Sequence, residues 1–185
     1  MITSTMLKTA DFDRILKLHR TIFLKSNFKM LTPKRYELLG QNITLQFVLD
    51  KWGWSPERGL QFAIRLRNCK LEDQNGNIPY AEGEIEVRPE RLRQFDKLGR
   101  ASRTILEKFD AQSAGDPGAP GWFRVHDEDD LTIFFETLLP DILLFAEAWA
   151  EEQHDPNHIH ELPKRLDPKA WLEIQKRLDG LTKEH

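Results

Sequence analysis

Apolar residues recur along this chain with two different periods. In residues 10–26, Phe12, Ile15, Leu16, His19, Ile22 and Phe23 fall three and four apart. That spacing predicts one amphipathic helix, capped by Thr9 or Asp11 and stopped at Asn27. From residue 34 the period changes to two. "KRYELLG" (34–40) leads into "NITLQFVLDKWGW" (42–54), where Ile43, Leu45, Phe47 and Leu49 alternate with Thr44, Gln46, Val48 and Asp50. Such alternation suits a strand with one face on a core. After the turn residues of "SPERG" (55–59), "LQFAIRLRNCKLE" (60–72) sets Phe62, Ile64 and Leu66 against Ala63, Arg65 and Arg67. Asn75-Gly76 is a hairpin signal, and "PYAEGEIEVR" (79–88) returns as another strand. These runs predict an antiparallel meander of about four strands.

The helical period then resumes. Pro89 suits a first helical position, where its missing N–H costs nothing, and Leu92, Phe95, Leu98, Ser102, Ile105, Leu106 and Phe109 carry the pattern to about residue 109. The glycine- and proline-rich "AQSAGDPGAPG" (111–121) reads as a loop, and "WFRVH" (122–126) as a short fifth strand. Asp127 or Asp129 caps a long helix reaching about residue 153, interrupted or kinked at Pro140. Asp167-Pro168 opens a last helix with Trp171, Ile174, Leu178 and Leu181 on one side. The expected fold is therefore α+β: an antiparallel sheet of about four to five strands with helices packed on one face. Residues 1–153 form one domain, and 154–185 a loop and helical C-terminal extension packed on it.

Charge changes this picture more than composition does. The net charge is only −3, yet residues 127–161 carry eleven acids and no lysine or arginine, so the remainder carries about +8. Such segregation gives a charged face that can steer a partner. Either basic residues elsewhere in the fold neutralise it, or Asp130, Glu136, Asp141 and Glu147 are exposed and receive a basic protein. The single cysteine, Cys69, permits no internal disulfide and suits a reducing compartment. The N-terminal residues show no leader pattern, and no apolar run is long enough to span a membrane. The expectation is a cytoplasmic protein that needs no cofactor.

Four groups of residues raise the question of chemistry. His154 and His158 are four apart, as zinc ligands on a helix can be, but Pro156 between them disfavours a helix. In an extended loop His158 and His160, with Asp155, could chelate, so a metal at His154, His158 and His160 is the alternative to a polar interhelix loop. Glu82, Glu84 and Glu86 recur at strand spacing. Arg88 stands where a nuclease would place lysine, and a guanidinium does not give up its proton, so a charged edge strand is the simpler reading. Residues 88–108 have a net charge of +4. A basic helix presenting Arg91, Arg93, Arg100 and Arg103 could lie along phosphates, although the acidic protein as a whole does not favour nucleic acid. Finally, Trp52 and Trp54 flank a glycine at an expected hairpin tip and would supply rigid contact area to a partner, unless both are core.

One resemblance adds to these readings. The order helix, "NFKMLTPKRYELLGQNITLQFVLD", then "FAIRLR" resembles a bacterial domain family of unknown function. In that family an N-terminal helix leads into a "GFKKKG…F.R" strand. Phe28 and Lys29 match its first element, Tyr36 its aromatic, and Phe47 and Phe62 its sheet interior, while Asn27 replaces the usual glycine. The resemblance covers residues 10–70 and implies no catalytic residue. Members resemble immunity or accessory proteins of bacterial conflict systems. The expected function is thus a small protein-binding module that is not an enzyme. A metal-dependent hydrolase or nuclease and a nucleic-acid-binding accessory protein are the alternatives.

Overall fold

The computed structural model describes residues 7–50, 59–79, 82–110 and 121–154. The expected α+β architecture is what the chain forms. Strands β1 (Phe28–Thr32), β2 (Arg35–Leu38), β3 (Ile43–Leu49), β4 (Leu60–Asn68) and β5 (Glu84–Val87) run as an antiparallel meander in sequence order, and β6 (Phe123–Val125) pairs with β4. Two strands share the second edge of β4: β6 takes Leu60–Phe62 and β5 takes Ile64–Arg67.

Register explains the two faces. Leu45 lies opposite both Tyr36 and Leu66, and Phe47 opposite Ile64, so the apolar positions of successive strands share one face. Helix α1 (Thr9–Leu18) lays Phe12, Ile15 and Leu16 on that face. Phe12 meets Phe47, Phe62 and Phe135 edge-on, with ring centroids 5.1–5.6 Å apart; such T-shaped contacts add to area burial. The other face is polar. There Thr44, Gln46, Arg65, Arg67, Glu84 and Glu86 stand in cross-strand rows.

Several expected boundaries move. The first helix is two, α1 and α2 (Thr21–Lys25), broken where His19 caps α1 and stacks over Phe135 at 5.6 Å. Asn27 does stop the helical segment, at a left-handed φ of 58° that asparagine tolerates. Periodicity does not mark strand β1, because its burial does not alternate: Phe28 is buried and Lys29–Thr32 are exposed; only the resemblance places Phe28 and Lys29 in a strand. Asn75-Gly76 lies in a turn organised by Asp73, whose Oδ1 accepts from the N–H groups of Asn75 and Asn77. The connection from β4 to β5 is nevertheless longer than a tight hairpin and includes a 3₁₀ turn, Cys69–Leu71. Glu82 precedes β5 and is buried in a turn, so it does not share a strand face with Glu84 and Glu86.

The expected helix 89–109 is also two, α3 (Pro89–Arg93) and α4 (Arg100–Leu106). Asp141 accepts the Gly99 N–H at 2.9 Å at the start of α4, and an added Cβ at Gly99 would lie 3.0 Å from that same carboxylate. The long acidic helix is continuous but not uniform. It begins with α5 (Glu128–Ile133), widens to a π-helical turn over Phe134–Leu138 and continues as α6 (Leu139–His154). The Leu139 N–H donates to the Phe134 carbonyl, a five-residue step. The widened turn directly precedes Pro140, whose ring in an α-helix would collide with the carbonyl four residues back. The Ser102 hydroxyl donates to the Thr137 carbonyl from α4, supplying a donor from outside the helix. No helix among the described residues is long and apolar enough to cross a membrane. The expected C-terminal loop and helix, 155–185, lie outside the described residues.

Candidate functional site: an acidic groove beside α6

The acidic segment divides into carboxylates the fold uses and carboxylates it leaves outward. Asp127 is the N-cap of α5, its Oδ1 accepting from the Asp130 N–H at 2.8 Å. Glu128 pairs with Arg14 on α1. Asp130, expected to be exposed, is buried at 5% exposure. It accepts from the His126 N–H at 3.1 Å and pairs with Lys108. Hydrogen bonding to Asp130 is the main cause that raises the Lys108 pKa, with the charges of Asp127, Asp129 and Asp130 adding to it against desolvation. Asp141 is half-buried and committed to Gly99. The expectation that Asp130 and Asp141 are exposed is therefore corrected: burial without partners would cost each carboxylate its hydration, so the fold supplies donors.

Glu136 is exposed on the π-helical turn. Glu147, half-buried, and Glu151, exposed, line a groove of about 400 Å³ with Asn27, Leu38, Leu39, Gln41 and Ala150. Four residues apart on α6, the two carboxylates lie one turn above the other. Leu39 is 54% exposed in the groove wall and Leu144, one turn before Glu147, is 46% exposed. Among the described residues no lysine or arginine pairs with Glu147 or Glu151. The result is a carboxylate pair beside exposed leucines, where a cationic side chain with an apolar stem would meet both its charge and its stem.

The other expected sites are placed differently. Glu84 and Glu86 are ion-paired within the sheet: Glu84 with Arg67 at 2.7 Å and Arg65 at 3.4 Å, Glu86 with Arg88 at 2.9 Å and Arg65 at 3.5 Å. All four carboxylate oxygens face a guanidinium, which occupies the positions a divalent cation would need. His154 ends α6 and is exposed, with its pKa lowered by burial and by the nearby Lys70 charge. His158 and His160 lie outside the described residues, as do Trp52 and Trp54. Among the described residues, no cluster of three or more metal-binding side chains forms. Of the four arginines expected on one basic helix, Arg93 pairs with Asp110 at 3.0 Å and Glu107 at 3.5 Å. Arg103 donates to the carbonyls of Arg93, Phe95 and Leu98, holding the α3–α4 linker. Arg91 lines a cleft with Phe95, Trp149 and Glu152, and Arg100 is exposed at the start of α4. Because the helix is broken, the four do not form one stripe.

The chain matches no family model, no curated protein and no solved structure. The groove is only partly legible in the sequence. The sequence marks Glu147 as a contact residue but does not single out Glu151, Leu39 or the neighbouring Leu144. A signal for them existed: Leu144, Glu147 and Glu151 follow helical spacing, but their side of α6 could be identified only once the buried side was known.

Proposed function

We propose that this protein is a small protein-binding module that recognises a basic partner through the α6 groove. The observation that supports this best is the pair Glu147 and Glu151, outward and without internal cations among the described residues, beside the exposed Leu39 and Leu144. Asp130 and Asp141 are withdrawn from the contact and serve the fold. Glu136 remains an outer charge that speeds encounter. The resemblance of residues 10–70 to a family with immunity-like and accessory members extends the proposal: the partner would be a basic effector, which this module neutralises or accompanies in the cytoplasm.

A short peptide alternating lysine and leucine serves as the probe. Titrated into the full chain, it should shift the backbone NMR resonances of Leu39, Glu147 and Glu151. Glu147→Gln with Glu151→Gln should weaken it about fivefold and flatten its salt dependence, with an unchanged melting temperature. Shifts confined to other surfaces, or equal affinity for the double variant, would sink the proposal.

A further inference from the structure

We propose that the free edge of β1 receives an extended, acidic segment of a partner protein as an added strand, with one of its apolar side chains seated in the hollow over Tyr36. This surface is distinct from the α6 groove and opposite in charge, so the two stand or fall separately.

The edge is open. β1 pairs with β2 on one side, and among the described residues no strand pairs with its other side. The Leu39 N–H donates to the Asn27 carbonyl at 3.0 Å. In an antiparallel ladder the bonded positions alternate, so the backbone N–H and C=O groups of Phe28 and Met30 point away from β2. These are the groups an added strand would use.

The hollow is apolar, and two of its lining residues form a stacked aromatic pair. Arg20, Phe23, Leu24, Phe28, Met30 and Tyr36 line about 150 Å³. Phe23 and Tyr36 stack beneath it with centroids 3.7 Å apart and planes 4° from parallel. Leu24 is 69% exposed and Met30 45%. An added strand alternates its side chains, so every second residue would pack on the side of Phe28 and Met30, and the residues between would face the side of Lys29.

The charge selects the segment. Residues 14–36 contain seven lysines and arginines and no acid. Arg14 and Lys34 are paired internally, but among the described residues no carboxylate pairs with Lys17, Arg20, Lys25 or Lys29. Among the described residues the Arg20 Nε is buried without a hydrogen-bond partner, at the rim of the hollow, and the Arg20 charge opposes the desolvation that raises the Tyr36 pKa. A lysine and a bulge on an edge strand ordinarily deter pairing. Here Lys29 and the bulge between Met30 and Thr32 would reject neutral or basic strands and admit one whose alternate residues are acidic. A second copy adding β1 to β1 would bring lysine against lysine and is disfavoured by like charge. Exposed leucine and methionine at the centre of the surface suit a polypeptide better than a phosphate backbone.

The test uses the full chain and a short peptide in which leucine or valine alternates with glutamate, beside a control with lysine in place of glutamate. The acidic peptide should bind in the micromolar range and slow hydrogen exchange at the Phe28 and Met30 amides. Arg20→Glu with Lys29→Glu should weaken it about tenfold while melting as the parent does. Lys29→Glu alone, at an exposed position, should weaken it less, and Met30→Pro should remove one outward donor and abolish the added protection. Four results would overturn the proposal: equal binding of the lysine peptide; protection of both amides in the free monomer; concentration-dependent self-association that buries them; or displacement of the acidic peptide by a single-stranded oligonucleotide contacting the same residues.

Discussion

At the turn that enters β5, the Glu82 side chain is buried and, among the described residues, its Oε2 reaches no hydrogen-bond donor. Desolvation raises its pKa above the ordinary 4.5, opposed by a bond to its own backbone N–H. An acid whose pKa is raised by folding binds its proton more tightly in the folded state, so ionisation weakens the fold. The loss begins as pH rises past the unfolded value and is complete above the folded one. Glu82→Gln should therefore raise stability at pH 7 by about 1 kcal/mol, the lower end of the cost of an unsatisfied buried group. The gain should vanish in melts run below pH 4.5. An equal gain at both pH values would show that charge is not the cause. Nothing in "EGEIEVR" distinguishes this residue from Glu84 and Glu86. The alternation is legible, but the sequence does not reveal that β5 begins only at Glu84.

Among the elements, the π-helical turn at Phe134–Leu138 is the one whose form depends on a single residue. Pro140 was legible as an interruption, but its outcome was not. A kink would turn α6 away from the sheet, whereas one widened turn lets Phe134, Phe135, Leu138, Leu139 and Ile142 all remain buried. A π turn contains one more residue than an α turn needs. Deleting the exposed Glu136 in a Pro140→Ala background should convert the segment to regular α-helix and keep cooperative unfolding, at a cost of less than about 3 kcal/mol. Deleting Ala148 instead would rotate Trp149 and the following turn by about 100° and should cost more. Far-ultraviolet circular dichroism melts of the two deletions decide this, and equal damage by both would contradict it.

At the scale of the molecule, the eleven acids of residues 127–161 serve more than one purpose. Asp130→Ala and Asp141→Ala each leave donors unmatched, at Lys108 and the His126 N–H for the first and at the Gly99 N–H for the second. Each should lower stability by about 1–3 kcal/mol. Glu136→Gln, Glu147→Gln and Glu151→Gln together should leave stability unchanged, or raise it by a few tenths of a kcal/mol in low salt through relief of repulsion. Melting curves of both sets at low and high salt separate the two classes. A marked loss in the glutamine set at low salt only would show that those carboxylates are internally paired.

Local periodicity alone determined that the chain is α+β, that β2 to β5 form a meander, that Asp127 or Asp129 caps a helix and that Phe12, Phe47 and Phe62 face inward. Each is a property of neighbouring residues, which the sequence states directly. Tertiary structure decided the rest. It joined β1 to the sheet, although its burial does not alternate, and it set the short strand expected at 122–126 against β4, beyond the end of β5. It broke two helices at His19-Arg20 and before Gly99. It brought Arg65 and Arg67 of β4 against Glu84, and Arg65 against Glu86 beside the local Arg88, and it spent Asp130 and Asp141 on residues 22 and 42 positions away. The physical reason is common to all of these. A charge or an unpaired backbone group is settled by whatever donor or acceptor folding brings within about 3 Å, and that neighbour is distant in sequence.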